Sequence, residues 1–166
     1  LRMPRTLILM RHAKQSTHAA RDHDRPLTTE GREAARLVGE ALLREGCVPD
    51  HALSSTAQRC RETWECVSSA FETSVEVSFD DSLYNASARG LLDGLAAMDD
   101  AAQTLLLLAH NPGIGVLAFE LAGSDENAAE ILRTGFSPAT TARFEIDGAW
   151  STVSPRTARF LRFDPI

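Results

Sequence analysis

The sequence predicts an α/β fold: a three-layer α/β/α sandwich around a mostly parallel sheet, with an antiparallel hairpin at one edge. Three observations predict it. Two solidly apolar runs, residues 6–10 and 104–109, stop abruptly at Arg11-His12 and at His110, as strands covered on both faces do. The stretches between them carry apolar residues at helical spacing. From Thr140 onward the pattern changes to alternation, with Ala142, Phe144 and Ile146 separated by polar residues, which is the signature of a half-buried strand.

Each element has its own signal. Thr6-Leu7-Ile8-Leu9-Met10 is the first strand, and a polar loop rich in His, Asp and Arg follows to Leu27. Pro26, then Thr28 or Thr29 as N-cap and Glu30 in the first turn, start a helix. Its stripe is Ala34, Val38, Ala41, Leu42 and Glu45, widened by Leu37, and Gly46 ends it. Residues 51–54 form a weaker strand, supported by the alternation around it. A helix over 57–71 carries Cys60, Trp64, Val67 and Phe71 on one face; Val75, Val77 and Phe79 then alternate as a strand. Residues 87–98 form a third helix with Leu91, Leu92, Leu95 and Met98 inside. After the strand over 104–109, Asn111-Pro112-Gly113 turns the chain into a helix over 114–122, and a short surface helix covers 125–133. Asp147-Gly148 signals a hairpin whose return strand is residues 150–153. The tail from Arg156 has no assigned element. No repeat, low-complexity segment or linker interrupts residues 1–166, so one domain without a cap insertion is expected.

Composition narrows the function. The chain has 166 residues, 43% hydrophobic and 24% charged, with a formal net charge of −6. A domain of this length buries roughly 70% of its extended-chain surface, so it needs no staple. The acidic balance argues against a nucleic-acid or anionic-membrane binder, although a local basic pocket remains open. The positive charge is nearly all arginine, Lys14 being the single lysine. Three cysteines, Cys47, Cys60 and Cys66, without CxxC spacing, give neither a disulfide framework nor a zinc site and suit a reducing compartment. No apolar run approaches a transmembrane span, and the two arginines in residues 1–5 are followed by no signal-peptide core. A cytoplasmic protein is expected.

In parallel sheets ligands bind at the carboxyl ends of the strands. His12 and His110 both follow apolar strands there, and Ser54-Ser55-Thr56 with Arg59 brings a guanidinium to the same edge. Arg11 stands beside His12, and Arg25 can fold back from the first loop. Taken singly, each is as well explained as a surface arginine or a hydrogen-bonded loop histidine. Together they make an oxyanion pocket, because arginine's planar fork matches two phosphate oxygens and the helix start near Ala57 adds positive potential.

Four pieces in order carry a resemblance: Leu9-Met10-Arg11-His12-Ala13-Lys14, Asp24-Arg25-Pro26-Leu27-Thr28, Ser54-Ser55-Thr56 with Arg59 and Thr63, and Leu108-Ala109-His110-Asn111-Pro112. The chain resembles the histidine phosphatase superfamily, and its small SixA-like phosphohistidine phosphatase branch best, from about Thr6 to Trp150. The resemblance implies a phosphoglycerate mutase-like fold. It implies His12 as the nucleophile that becomes phosphorylated, with Arg11, Arg59 and His110 around the phosphoryl group and Arg25 facing it. It implies no metal and no cofactor, and the sequence offers no HExxH, EF-hand or P-loop pattern. An imidazole attacks phosphorus through an unprotonated nitrogen, so the other nitrogen of His12 should donate to a carbonyl.

The pattern departs from the family in two places. Ala13 stands where the superfamily usually has glycine, so no positive φ is expected there. Asn111 follows the second histidine and cannot act as a carboxylic acid; Asp80, Asp81, Asp22 and Asp24 are weak candidates for that part. A missing acid fits a phosphoramidate, whose imidazole leaves more readily than an alkoxide. The short connection over 79–87 suggests an open, shallow pocket that accepts a phosphorylated side chain of a signalling protein. A phosphatase for a small phosphoester and a non-catalytic phosphate-recognition module are the alternatives. Trp64, Phe71 and Trp150 read as packing residues, the last on the terminal hairpin. His18, His23, His51 and Lys14 read as solvent-facing.

Overall fold

Six strands form one sheet in the order β3-β2-β4-β1-β5-β6. The structure is a computed structural model that describes residues 3–165; Leu1, Arg2 and Ile166, parts of the two ends read above, lie outside the described residues. In chain order the strands are β1 (Arg5–Arg11), β2 (His51–Ser55), β3 (Glu76–Asp80), β4 (Thr104–Ala109), β5 (Thr141–Ile146) and β6 (Ala158–Asp164). The helices are α1 (Thr29–Arg44), α2 (Gln58–Ser68), α3 (Ala88–Ala96), α4 (Gly113–Ala122) and α5 (Ala128–Thr134). β1, β2, β3 and β4 run parallel; β5 is antiparallel to β1, and β6 to β5.

The apolar runs are solid because both faces of the sheet are covered. Successive side chains of a strand point to opposite faces. Leu7 and Leu9 of β1 join Leu105 and Leu107 of β4 in a core shared with α3, α4 and α5. Ile8 and Met10 join Leu106 and Leu108 in a second core under α1 and α2. The expected three layers follow from these two cores.

Local signals hold at most boundaries. Thr28 caps α1, its hydroxyl accepting from Gly31 N–H at 3.0 Å, and Gly46 takes a positive φ of 66° just beyond the helix. Leu37, placed on the inner stripe above, is instead 48% exposed; the buried face of α1 runs through Gly31, Ala35, Val38, Gly39 and Leu42. Two glycines let α1 approach closely, so the stripe is rotated away from the larger residues. The last helix covers 128–134 and buries Ala128 and Ile131.

The hairpin reading needs one correction. Residues 150–153 do not return as a strand: Trp150–Thr152 is a 3-10 turn, and the return strand is β6. Asp147 N–H donates to Thr157 O at 2.8 Å, so the connection is long rather than a tight turn. Trp150 is 1% exposed, and its backbone and indole N–H groups donate to Asp100 Oδ1 at 2.9 Å and Ala102 O at 3.0 Å. It closes the amino end of the sheet, below β4 and beside Arg5, instead of packing on a hairpin.

Candidate active site

The register of the sheet sets the two histidines side by side. Arg11 of β1 pairs with Ala109 of β4, so the next residues, His12 and His110, leave the carboxyl edge together. His12 N–H donates to Ala109 O at 3.2 Å. The imidazole centroids stand 5.2 Å apart, and both rings are buried. From the neighbouring strand, β2 ends at Ser55, and the first turn of α2 presents Arg59 to the same edge.

The tautomer of His12 follows from its one partner. Nδ1 lies 2.8 Å from the carbonyl of Ala13; a carbonyl only accepts, so Nδ1 carries the proton and Nε2 keeps its lone pair. Burial lowers the pKa to about 3, against the pull of the Ala13 carbonyl, and His110, Arg11 and Arg59 lower it further. The ring is neutral and nucleophilic at any physiological pH. Ala13 is not among the residues with positive φ, in line with the expectation for alanine there. Its N–H donates to the buried hydroxyl of Thr63 at 3.0 Å.

His110 places Nε2 2.8 Å from Ser55 Oγ and 3.6 Å from the Cys60 thiol. Ser55 Oγ already accepts from Ala57 N–H at 3.2 Å, so its own proton is free for Nε2. The Cys60 thiol, pushed up to about 12 by burial, is protonated as well. We assign the ring proton to Nδ1 on that basis. Burial, then the charge of Arg59, lowers His110 to about 4.

The guanidiniums surround this pair. Arg11 Nη1 donates to Phe136 O at 3.3 Å. Arg59, 5% exposed, gives Nη1 to the carbonyl of Asp22 at 2.9 Å and Nη2 to its carboxylate at 3.1 Å. Arg25, in the first loop, donates Nε to Ser16 O at 2.8 Å and Nη1 to Asp22 Oδ1 at 2.9 Å. Arg11 Nε, Arg59 Nε and His110 Nδ1 are buried without a partner among the described residues. Each such donor costs about 1–3 kcal/mol; Arg11 and Arg59 both act electrostatically on His12 and His110, and an oxyanion is the acceptor such donors suit.

A sequence profile decides the family. The profile of the histidine phosphatase superfamily (branch 1) matches residues 7–104. The chain belongs to the histidine phosphatase superfamily. An uncharacterized protein of Mycobacterium leprae is 33% identical over 162 residues, covering 93% of this chain and 98% of that one. The phosphohistidine phosphatase SixA homolog of Haemophilus influenzae is 28% identical over 158 residues, 89% of this chain and 92% of its own. A SixA structure from Nakamurella multipartitia superposes with a TM-score of 0.88 at 31% identity, over 98% of this chain and 96% of that one. Within the superfamily the chain is thus SixA-like, a phosphatase with the phosphoglycerate mutase-like fold.

The four carboxylates considered as proton donors already accept hydrogen bonds or ion pairs. Asp80 Oδ1 accepts from Ser82 N–H and Oγ, and Asp81 Oδ1 accepts from Thr56 Oγ1 at 2.5 Å. Asp24 pairs with Arg21, which lowers its pKa. Asp22 is held well below the usual carboxylate range, first by the Tyr84 hydroxyl and then by Arg25. Among the described residues no cluster of three or more His, Cys, Asp or Glu is placed to hold a metal, and no helix is long and apolar enough to cross a membrane.

Superfamily motifs did not reveal the contacts that lock the site. Ser55 and Thr63 stood in the quoted motif without roles, and the hydroxyl pattern alone cannot say which ring or N–H each one meets. The link from Asp22 to Tyr84, 62 positions apart, had no local signal. It sets the Tyr84 ring 5.8 Å from the Arg59 guanidinium carbon. His23 and His51 are half-buried: their Nε2 atoms pair with Thr56 Oγ1 at 3.0 Å and Ser78 Oγ at 2.8 Å. His18 is exposed, and Lys14 is an exposed partner of Glu30. Trp64 is buried, with half-buried Phe71 against it.

Proposed function

We propose that this enzyme removes phosphate from phosphohistidine on a partner protein, through a phosphohistidine formed on its own His12 and without a metal. The observation that carries the reading is the neutral His12, its Nε2 free and its Nδ1 fixed by Ala13, among unpaired donors of Arg11, Arg59 and His110. Nε2 attacks phosphorus, the bond to the leaving imidazole breaks, and the phosphoryl group passes to His12. Water then attacks phosphorus, the bond to Nε2 breaks, and inorganic phosphate leaves. The positive groups stabilise the equatorial oxygens as charge shifts in both steps, with Arg25 contributing from the rim.

Two facts support phosphohistidine over an alkyl phosphate. Among the described residues no carboxyl near the site is poised to protonate a leaving alkoxide, whereas an imidazole already protonated needs no such help. The SixA-like relatives, named for phosphohistidine, match along almost the whole chain. The reading keeps the protein in a reducing compartment, the cytoplasm, supported by three free cysteines.

The test is phosphate release from a phosphohistidine-bearing protein and from p-nitrophenyl phosphate, with EDTA present, for wild type and His12→Ala. Release from phosphohistidine that vanishes in the variant supports the proposal. Activity on the ester alone assigns a small-phosphoester phosphatase, loss with EDTA overturns metal independence, and binding without release assigns a recognition module.

A further inference from the structure

Asp22 begins a 3-10 turn, Asp22–Asp24, in the loop between β1 and α1. Its carboxylate is the hub of the rim. Oδ1 accepts from Arg25 Nη1 at 2.9 Å; Oδ2 accepts from Arg59 Nη2 at 3.1 Å and from the Tyr84 hydroxyl at 2.5 Å. Tyr84 in turn sets its ring edge-on to His110, with centroids 5.6 Å apart, and lies 5.8 Å from the Arg59 guanidinium carbon. The donors that meet this carboxylate are the kind a phosphoryl group takes: two guanidiniums and a phenol. A carboxylate also carries the same sign of charge and offers two oxygens to an arginine fork in the same way.

This arrangement is more than a scaffold for Arg59. The backbone carbonyl of Asp22 already holds Nη1 at 2.9 Å, so the guanidinium has an anchor that does not involve the carboxylate. The turn has its own closure too, Arg25 N–H donating to Asp22 O at 3.2 Å. The side chain of Asp22 is half exposed, with solvent on one side to receive it once displaced, whereas that of Arg59 is almost fully buried. The carboxylate is therefore the movable member of the pair.

We propose that Asp22 is a built-in competitor for the phosphoryl group: its carboxylate, steadied by Tyr84, holds Arg25 and Arg59 in the resting pocket, and an incoming phosphoryl group takes the two guanidiniums over by displacing it. The inference rests on the reading of His12 as the nucleophile and adds what sets specificity at that site. A pocket whose rim donors are released only when three contacts of Asp22 break holds free phosphate weakly. Product phosphate then leaves readily, and abundant small phosphate compounds are poor ligands. The affinity that selects a substrate comes from the protein that carries the phosphoryl group.

The experiment measures inorganic phosphate and orthovanadate binding by calorimetry, without turnover, to wild type, Asp22→Asn and Tyr84→Phe, each first checked for folding by circular dichroism. The expected result is tighter binding in Asp22→Asn, by at least about fivefold at low ionic strength, since a like charge beside the anion is removed. Tyr84→Phe, which loosens one contact of the carboxylate, should tighten binding by a smaller factor and serves alone if Asp22→Asn does not fold. Unchanged or weaker binding in the folded variants overturns the proposal and makes Asp22 a positioning residue for the guanidiniums. Absence of anion binding to wild type and to both folded variants overturns the active-site reading itself, a failure distinct from the first.

Discussion

The Thr63 hydroxyl accepts a hydrogen bond from the backbone N–H of Ala13 at 3.0 Å and donates one to the carbonyl of Arg59 at 2.6 Å. One fully buried side chain therefore joins the residue after His12 to the turn of α2 that carries Arg59. Because the Ala13 carbonyl fixes His12 Nδ1, Thr63 acts on the His12 ring, the proposed nucleophile, at one remove.

Thr63→Val keeps the shape and removes the hydroxyl. Ala13 N–H is then buried and unpaired, at a cost of about 1–3 kcal/mol. Urea melts should show that loss, and kcat should fall more than KM rises, since the ring and not substrate contact is disturbed. Thr63→Ser should recover most of both. A fully active Thr63→Val enzyme would show that Ala13 needs no such anchor.

His12 and His110 should both be neutral, with the proton on Nδ1, well below pH 6. Long-range proton–nitrogen spectra of labelled protein at pH 5 read this directly. An imidazolium pattern for His12 there would contradict its burial.

The same shifts set a sign for stability. His12 and His110 titrate at about 3 and about 4 when folded, against 6.5 for a free imidazole. Between about pH 6.5 and 4 the unfolded chain binds more protons, so stability rises with pH and is lost on acidification. Carboxylates lowered in the fold, such as Asp24 and Glu33, have ordinary values of 3.8 and 4.5 and so act mainly at the acid end of this window. Melting temperatures at pH 7 and pH 5 should differ for wild type, and His12→Asn should reduce the difference. An equal difference in both proteins would place the effect elsewhere.

Much of this site was legible because it lies where two strong local signals end. The runs 6–10 and 104–109 are unambiguous, and a parallel sheet puts their carboxyl ends on one edge; only the register had to be seen to bring His12 and His110 to 5.2 Å. Arg59 was legible for the same reason, one turn beyond β2. What escaped depends on contacts between distant residues. Asp22 reads as a loop acid until Tyr84 and Arg59 meet it, and Leu37 reads as core until two glycines rotate α1. The segment at Trp150 reads as a strand because a large aromatic after Asp-Gly suits one, yet its indole finds a carbonyl at the end of the sheet.

Trp150→Phe tests that corrected placement. It removes the indole donor to Ala102 O and leaves a smaller ring in a filled space, which together should cost about 2 kcal/mol. Trp150 sits at the amino end of β4, opposite the histidines, so kcat/KM on p-nitrophenyl phosphate should hold at temperatures where the variant is folded. A large loss of activity in the folded variant would mean the two ends of the sheet are coupled.

Gly39 tests the rotation of α1. A Cβ placed there would stand 2.1 Å from Val67 O and 2.9 Å from Val67 C, both backbone atoms of α2. Neither can yield as a flexible side chain would, so α1 and α2 must separate. Gly39→Ala should therefore destabilise by about 1–3 kcal/mol or more, despite alanine's better helix propensity. Gly46→Ala makes a useful contrast: nothing lies within 4 Å, and the cost there comes only from its φ of 66°, about 1 kcal/mol. Because α2 also carries Arg59 and Thr63, separation at Gly39 should lower kcat as well, whereas Gly46→Ala should leave it unchanged. Urea melts and turnover of the two variants, compared side by side, separate a packing constraint from a backbone one; a Gly39→Ala protein as stable as wild type would mean the helices do not approach this closely.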